Sequence, residues 1–331
     1  MQKIRKYGVF LFLLGLPYMM MGQDPQFTQF YANPLYLGPS FAGATKQHRV
    51  AGTFRDQWPG FPGGFISYNV SYDHNFSNYN SGVGVIIMRD QAGSGKLSNT
   101  SITVSYSYDF NVTERWHIRP GIGFAYALWG IDFNKLVFSD QLYSGFGNPQ
   151  GITTIEEPPI RNYTGDIDAA SSLLIYEDRF WIGATADHLL KPNQAFWGEK
   201  SIVPMKFSYY GGYQIVKYAR LLKPIDETVS LAYLYKTQGN YKQLDVGLYW
   251  YHYPLMLGAW YRGLPPSNGP RGDALAFLVG FKIEGISIGY SYDVTVSNLV
   301  GKTHGAHEIS LSYQFVTQPI KKMHAIPCPE F

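Results

Sequence analysis

Asp293, His307 and Glu308 are residue types that bind metal ions or shuttle protons, and they lie close together near the end of this chain. Their spacing argues against a shared site. In a β-strand, successive side chains point to opposite faces. The segment GAHEISLSYQF, residues 305–315, alternates strictly: Ile309, Leu311, Tyr313 and Phe315 fall on one parity, Glu308, Ser310, Ser312 and Gln314 on the other. His307 then projects away from Glu308. Asp293 and Glu308 take the polar parity of their segments, as do Arg119, Lys206, Lys236 and Lys282. Charges enclosed in an interior need partners. The expected role of Arg119, Lys282, Asp293 and Glu308 is therefore a structural ion-pair network that holds an interior closed, not catalysis.

Asp187 and His188 stand where a strand hands over to a loop, beside Lys191, Pro192 and Asn193. They suit either a polar docking surface for a protein partner or loop-end capping. Phe196 and Trp197 follow in the same loop, as partner contacts or as part of an interfacial aromatic girdle. The stretch from Trp129 to Gly165 is too long for an ordinary connection and carries Tyr143, Phe146, Ile152 and Ile155 among turn formers. It reads as a partner-binding or a lumen-plugging loop. Pro59-Gly60-Phe61-Pro62-Gly63-Gly64, after Arg55, Asp56 and Trp58, is turn chemistry and not a phosphate cradle, because no helix pattern follows. No nucleophile–base arrangement, P-loop or zinc spacing occurs. Cys328 is the sole cysteine, which excludes an intrachain disulfide framework. The expectation is a protein that is not an enzyme, with no metal site and no cofactor.

The elements that position these residues are strands. Ile102, Val104, Tyr106, Tyr108 and Phe110 share one parity, and the same holds within 118–128, 229–235, 244–250, 275–283 and 286–294. Weaker candidates begin near Arg49, Phe65, Val83, Asp166, Phe180, Lys206 and Pro254, making about 14 with the last one. Short returns (111–114, 177–179, 252–254, 284–285) alternate with long connections (57–64, 129–165, 187–204, 262–273, 295–304), with 217–225 longer than ideal for its set. An even strand count with that alternation predicts an all-β, transmembrane antiparallel β-barrel over residues 47–316. The 27 Tyr, 21 Phe, 7 Trp and 35 Gly fit strands and aromatic girdles.

Residues 1–22 read as a signal peptide. Lys3, Arg5 and Lys6 precede the apolar run Val9–Leu16, and cleavage is expected near Gly22-Gln23. Loss of those three basic residues leaves 24 basic against 24 acidic ones, which gives no support to nucleic-acid binding. Residues 23–46 fit no strand; three prolines and five aromatics suggest a segment folded into, or capping, the periplasmic mouth of the barrel. Residues 317–331 follow the last strand as a proline-containing periplasmic tail.

QDPQFTQFYANPLYLGPSFAGA at 23–44, DHLLKPN at 187–193 and GYSYDVTVSNL with GAHEISLSYQF near the end together resemble the PorP/SprF family of type IX secretion and gliding-motility proteins, as does the Cys-Pro-Glu-Phe terminus. The resemblance covers essentially all of the chain after residue 22. It implies an outer-membrane barrel serving the type IX machinery of Bacteroidota. It further implies periplasmic machinery components as partners, and a large secreted protein, typically an adhesin with a type B C-terminal domain, whose export or surface attachment the barrel supports. The rival reading is an outer-membrane barrel transporting small hydrophobic or polar solutes, with residues 23–46 as its plug.

Overall fold

The computed structural model describes residues 24–45, 47–143, 154–218, 227–263, 272–297 and 300–317. The expected signal peptide, Phe146, Ile152 and the tail from residue 318, with Cys328, lie outside the described residues. Fourteen antiparallel strands form the wall. They are β1 (His48–Gln57), β2 (Phe65–Phe76), β3 (Ser81–Ala92), β4 (Leu97–Tyr108), β5 (His117–Gly130), β6 (Tyr163–Tyr176) and β7 (Phe180–Asp187). After them come β8 (Lys206–Tyr218), β9 (Glu227–Gln238), β10 (Tyr241–His252), β11 (Leu255–Gly263), β12 (Gly272–Ile283), β13 (Ile286–Thr295) and β14 (Ala306–Phe315). The pair Phe110–Asn111 carries β4 on past Asp109 along β5. Each strand pairs with its sequence neighbours, and β1 pairs with β14 from His48↔Phe315 to Gln57↔Ala306, so the sheet is a closed barrel. Closure leaves no open edge at that junction and satisfies the backbone in lipid.

Both chain ends of the barrel lie at one rim, the turn end; the other is the loop end. The alternation of connection lengths is imperfect. Two loop-end connections are tight: Gly93–Lys96 and the two-residue Gly239–Asn240 hairpin, where Gly239 takes φ 57°. The parity of the last strand is as its sequence reads: Ile309 and Leu311 are 52% and 53% exposed, while Glu308 is fully buried. Outward aromatics ring both rims, with Phe76, Tyr79, Phe110 and Trp116 at the turn end and Phe54, Tyr126, Tyr163 and Phe207 at the loop end. Among the described residues no helix is long and apolar enough to cross a membrane.

Residues 24–45 occupy the lumen. Pro34 starts a one-turn helix, α1 (Pro34–Leu37), with the ring at a position that needs no N–H. Gly38 and Pro39 end it, and a tight turn over Pro39–Phe41 follows. The segment has two faces. Phe30, Tyr31, Leu37 and Phe41 pack on Leu174, Trp181, Tyr210, Leu234, Tyr249 and Trp260 from the inner wall of β6 to β11. Phe30 meets Trp260 edge to face at 5.1 Å, and Tyr31 meets Tyr249 at 4.6 Å. Thr28, Gln29 and Asn33 face the polar inner wall of β2, β13 and β14. Gly121 admits the close approach of this segment: a Cβ there would collide with the backbone of Pro39 and Ser40.

The segment is not confined to one mouth. Thr45 enters β1 at the turn end, whereas Asp24 lies among Asp187, Lys206, Gln238 and His188 at the loop end. It therefore threads the barrel from end to end.

Candidate functional site

Three sets of contacts hold the lumenal segment, two towards the loop end of the barrel and one near the turn end. Towards the loop end of β1, β11, β13 and β14, Glu308 on β14 accepts the backbone N–H groups of Thr28 at 2.7 Å and Gln29 at 2.8 Å. Arg55 on β1 bridges Glu308 at 2.9 Å and Asp293 on β13 at 2.8 Å. Arg262 on β11 reaches the same Asp293 oxygen at 2.9 Å. The Thr28 hydroxyl donates to Asp293 and accepts from both arginines at 2.8 Å. Two guanidinium groups and two carboxylates thus cancel each other around one threonine, and the segment supplies donors that a pair of carboxylates would otherwise lack. Arg262 extends the cluster to Asp245 at 3.4 Å, and Lys236 stands 3.8 Å from that carboxylate. The Gln29 amide donates to Ser291 and to the Glu308 carbonyl and accepts from Ser310, fixing the register of the segment on β13 and β14.

Asp293 and Glu308 are therefore joined, but Arg119 and Lys282 are not part of that cluster. Arg119, on β5, hydrogen-bonds Ser107 at 3.0 Å and the Ala42 carbonyl at 2.5 Å, near the turn end. Lys282 pairs in register with Ser287, six residues along β13 from Asp293, or about 20 Å at the rise of a strand. Parity names the face of a strand, not the height along it. The partners missed by sequence reasoning are Arg55 and Arg262, one in a strand read as insecure and the other at the mouth of a loop. His307 does point outward, with its ring hydrogen-bonded to Tyr290 at 2.8 Å.

At the loop end, His188 lies between two carboxylates: Nδ1 is 2.5 Å from Asp168 and Nε2 is 2.9 Å from Asp24. Lys206 contacts Asp24 at 2.7 Å and Asp187 at 3.2 Å. Burial alone would push the His188 imidazole down, but the Asp24 charge and hydrogen bonds to Asp168 and Asp24 hold its pKa up at about 10. Burial likewise opposes ionisation of Asp24, yet the Lys206 and His188 charges hold that carboxyl well below the usual range. Asp187 and His188 thus turn inward, to the lumenal segment, rather than outward. A cavity of about 120 Å³ lies beside them, lined by Leu35, Ile86, Met88, Ala127, Trp129 and Ala169. A second cavity of about 270 Å³, bounded by Gln57, Phe65, Asp90, Leu97 and Gln194, opens above it.

The outer loops form the remaining surface. Phe196 packs inward on Trp129 and Val203, while Trp197 remains 46% exposed and donates its ring N–H to the Glu157 carbonyl at 3.4 Å. That contact ties the β7–β8 loop to the β5–β6 loop. Ile155, Ile160, Leu190 and Ile202 lie exposed on these same loops. Tyr143 closes a short helix, α2 (Ser139–Tyr143), in the β5–β6 loop. Among the described residues no group of three or more His, Cys, Asp or Glu is arranged to hold a metal ion.

Comparison with solved structures found outer-membrane barrels. The Ralstonia pickettii toluene transporter TbuX is similar over 86% of this chain and 94% of its own, at 9% identity and a TM-score of 0.51. A Pseudomonas aeruginosa FadL homologue is similar over 89% of this chain and all of its own, at 10% identity and a TM-score of 0.46. The Acinetobacter baumannii outer membrane protein Omp33 covers 82% of this chain, at 7% identity and a TM-score of 0.42. At such identities the likeness to the toluene transporter speaks for the fold alone. A comparison with curated proteins found no match. Residues 20–313 match the family described as type IX secretion system membrane protein PorP/SprF. With that match over nearly its whole length, the chain belongs to the PorP/SprF family of outer-membrane barrels of type IX secretion.

Proposed function

We propose that this barrel is a non-enzymatic receptor of the type IX secretion and gliding machinery, which supports export or surface attachment of a large secreted adhesin with a type B C-terminal domain. The observation that carries the reading is a lumen filled from end to end by residues 24–45, beneath loops that offer Trp197, Ile160, Leu190 and Ile202 outward. A filled interior is poorly suited to bulk passage, and exposed aromatic and aliphatic side chains on joined loops suit retention of a protein. Tyr143, and Phe146 outside the described residues, enter the proposal only by their place in the sequence of the β5–β6 loop; Asp187, His188 and Phe196 support the surface from beneath. Periplasmic components of the machinery would meet the turn end. Residues 1–22 are removed near Gly22-Gln23 in this reading, because a leader anchored in the inner membrane is incompatible with Asp24 lodged inside an outer-membrane lumen.

Deletion of the gene followed by surface labelling tests the proposal: cognate adhesins should fail to reach or stay on the cell surface. The double variant Trp197→Ala with Ile160→Ser should lose adhesin retention while the barrel accumulates normally. Adhesins retained at the parental level in both strains overturn the reading. The two cavities beside the lumenal segment favour the alternative, passage of small solutes. Single-channel recording separates the two: a large steady conductance supports transport, and a sealed barrel supports the receptor.

A further inference from the structure

Among the described residues the longest gap in strand pairing lies between β6 and β7. Strand β6 pairs with β5 along its full length, Tyr163 to Tyr176, but with β7 only from Ser171 to Tyr176. Strand β7 ends at Asp187, and the eight residues of β6 nearest the loop end, 163–170, keep no strand on that side. An unpaired edge inside a membrane barrel must be satisfied some other way. Here two aspartates of β6 itself do so. Asp166 accepts the N–H of Ile167 and Asp168 accepts that of Ala169, both at 2.8 Å.

The other oxygen of each carboxylate fastens the chain that follows β7. Asp166 Oδ2 accepts the Asn193 N–H at 2.9 Å, and Asp168 Oδ2 takes His188 Nδ1 at 2.5 Å. A single backbone bond joins this strap to β6, from Leu189 N–H to the Ala169 carbonyl at 3.0 Å. Beyond its first turn the strap's backbone pairs with itself, while Phe196, Val203 and Trp197 rest on Trp129 and Glu157. Val203 donates to Pro192 and Gln194 to Ser201, both at 2.9 Å, and Asn193 bridges Ile202. The chain turns away from the wall through His188 at φ 60° and Lys191 at φ 53°, left-handed conformations that cost a non-glycine residue free energy and persist where the surroundings impose them. Behind the seam lies the 120 Å³ cavity, which Asp168, Ala169 and His188 themselves help to line.

His188 joins the two systems, since its other nitrogen is held by Asp24 of the lumenal segment at 2.9 Å. We propose that residues 188–203 form a side gate in the barrel wall, and that the lumenal segment keeps it shut through the Asp24–His188–Asp168 chain. Withdrawal of Asp24 removes the inner end of that chain and leaves the His188 turn held to β6 by the Leu189 backbone bond and the Asp168 and Asp166 side chains, with the tip of the strap still resting on Trp129 and Glu157. The free edge of β6 along 163–170 then opens the interior cavity sideways at the outer rim. The gate follows from the strand register and does not depend on the identity of any secreted partner.

Hydrogen–deuterium exchange on the full-length barrel in detergent micelles tests the coupling. Asp24→Asn alters a residue that touches neither β6 nor the strap backbone. It should raise exchange about tenfold in 163–170 and 188–194 and leave 171–176, laddered on both sides, at the parental rate. His188→Gln, which keeps a hydrogen-bonding side chain but not the double contact, should do the same. If 163–170 exchange at the parental rate in either folded variant, or if both halves of β6 accelerate together, the gate is refuted.

Discussion

Glu308 on the last strand accepts the backbone N–H of Thr28, a residue 280 positions earlier, at 2.7 Å. Both are buried, and Arg55 closes the triangle with contacts of 2.8 Å to the Thr28 hydroxyl and 2.9 Å to Glu308. One carboxylate thus joins the lumenal segment, the first strand and the last strand. The barrel seam between β1 and β14 and the seating of the lumenal segment depend on the same group.

Removing that group should be costly, because it strands a buried guanidinium and two backbone donors. Glu308→Ala is expected to lower stability by about 3–5 kcal/mol, with Glu308→Gln less severe. Urea unfolding in micelles, followed by tryptophan fluorescence, measures it. A shift no larger than that of the exposed Glu114→Ala would mean the cluster contributes little.

The loop-end latch should weaken in alkali. The folded His188 pKa of about 10 lies above the ordinary 6.5, so its stabilisation is complete below about 6.5 and is lost as pH rises through about 10. Asp24 is shifted the other way, so its contribution is present at neutral pH and disappears as acid protonates it, below the ordinary 3.8. His188→Gln should therefore unfold more readily than the parent at pH 7 and match it above about pH 10.5. A stability gap that stays constant across that range would show that His188 is not held as a cation by Asp24.

Depth in the bilayer should set the cost of outward charges. Phe277, midway along β12 and 56% exposed, lies on the outward face; Tyr79, at the turn end, is 74% exposed. Phe277→Arg is expected to cost about 2–4 kcal/mol and Tyr79→Arg about 0–1 kcal/mol. Refolding into lipid vesicles distinguishes them, and equal costs would contradict this membrane placement.

Gly121→Val should lift the turn at Pro39–Phe41 off the wall, since the new side chain would occupy backbone atoms of Pro39 and Ser40. Limited proteolysis is expected to cut residues 39–45 in this variant and to spare them in the parent. Parental protection in a folded Gly121→Val barrel would show that the segment does not press on β5.

The all-β class, the closed even-stranded barrel and most strand positions were legible because lipid on one side and a polar interior on the other impose a two-residue period. Even the strand near Arg49, weakly patterned by Gly52, forms and closes the barrel. The polar parity of Asp293 and Glu308 was legible for the same reason. Their partners Arg55 and Arg262 were not, and parity alone grouped the two carboxylates with Arg119 and Lys282, which lie towards the turn end. His188 read as an outer-loop residue, yet it reaches inward to Asp24.

Alternation along the chain is a local property, set by one residue's preference for hydrocarbon or water, and it sufficed for the wall. What fills the wall depends on register between strands hundreds of residues apart and on the path of residues 24–45, which carry no period. Only the folded barrel brings Thr28 to Arg55, Arg262, Asp293 and Glu308, because buried charges choose partners by distance in space and not by order in the chain.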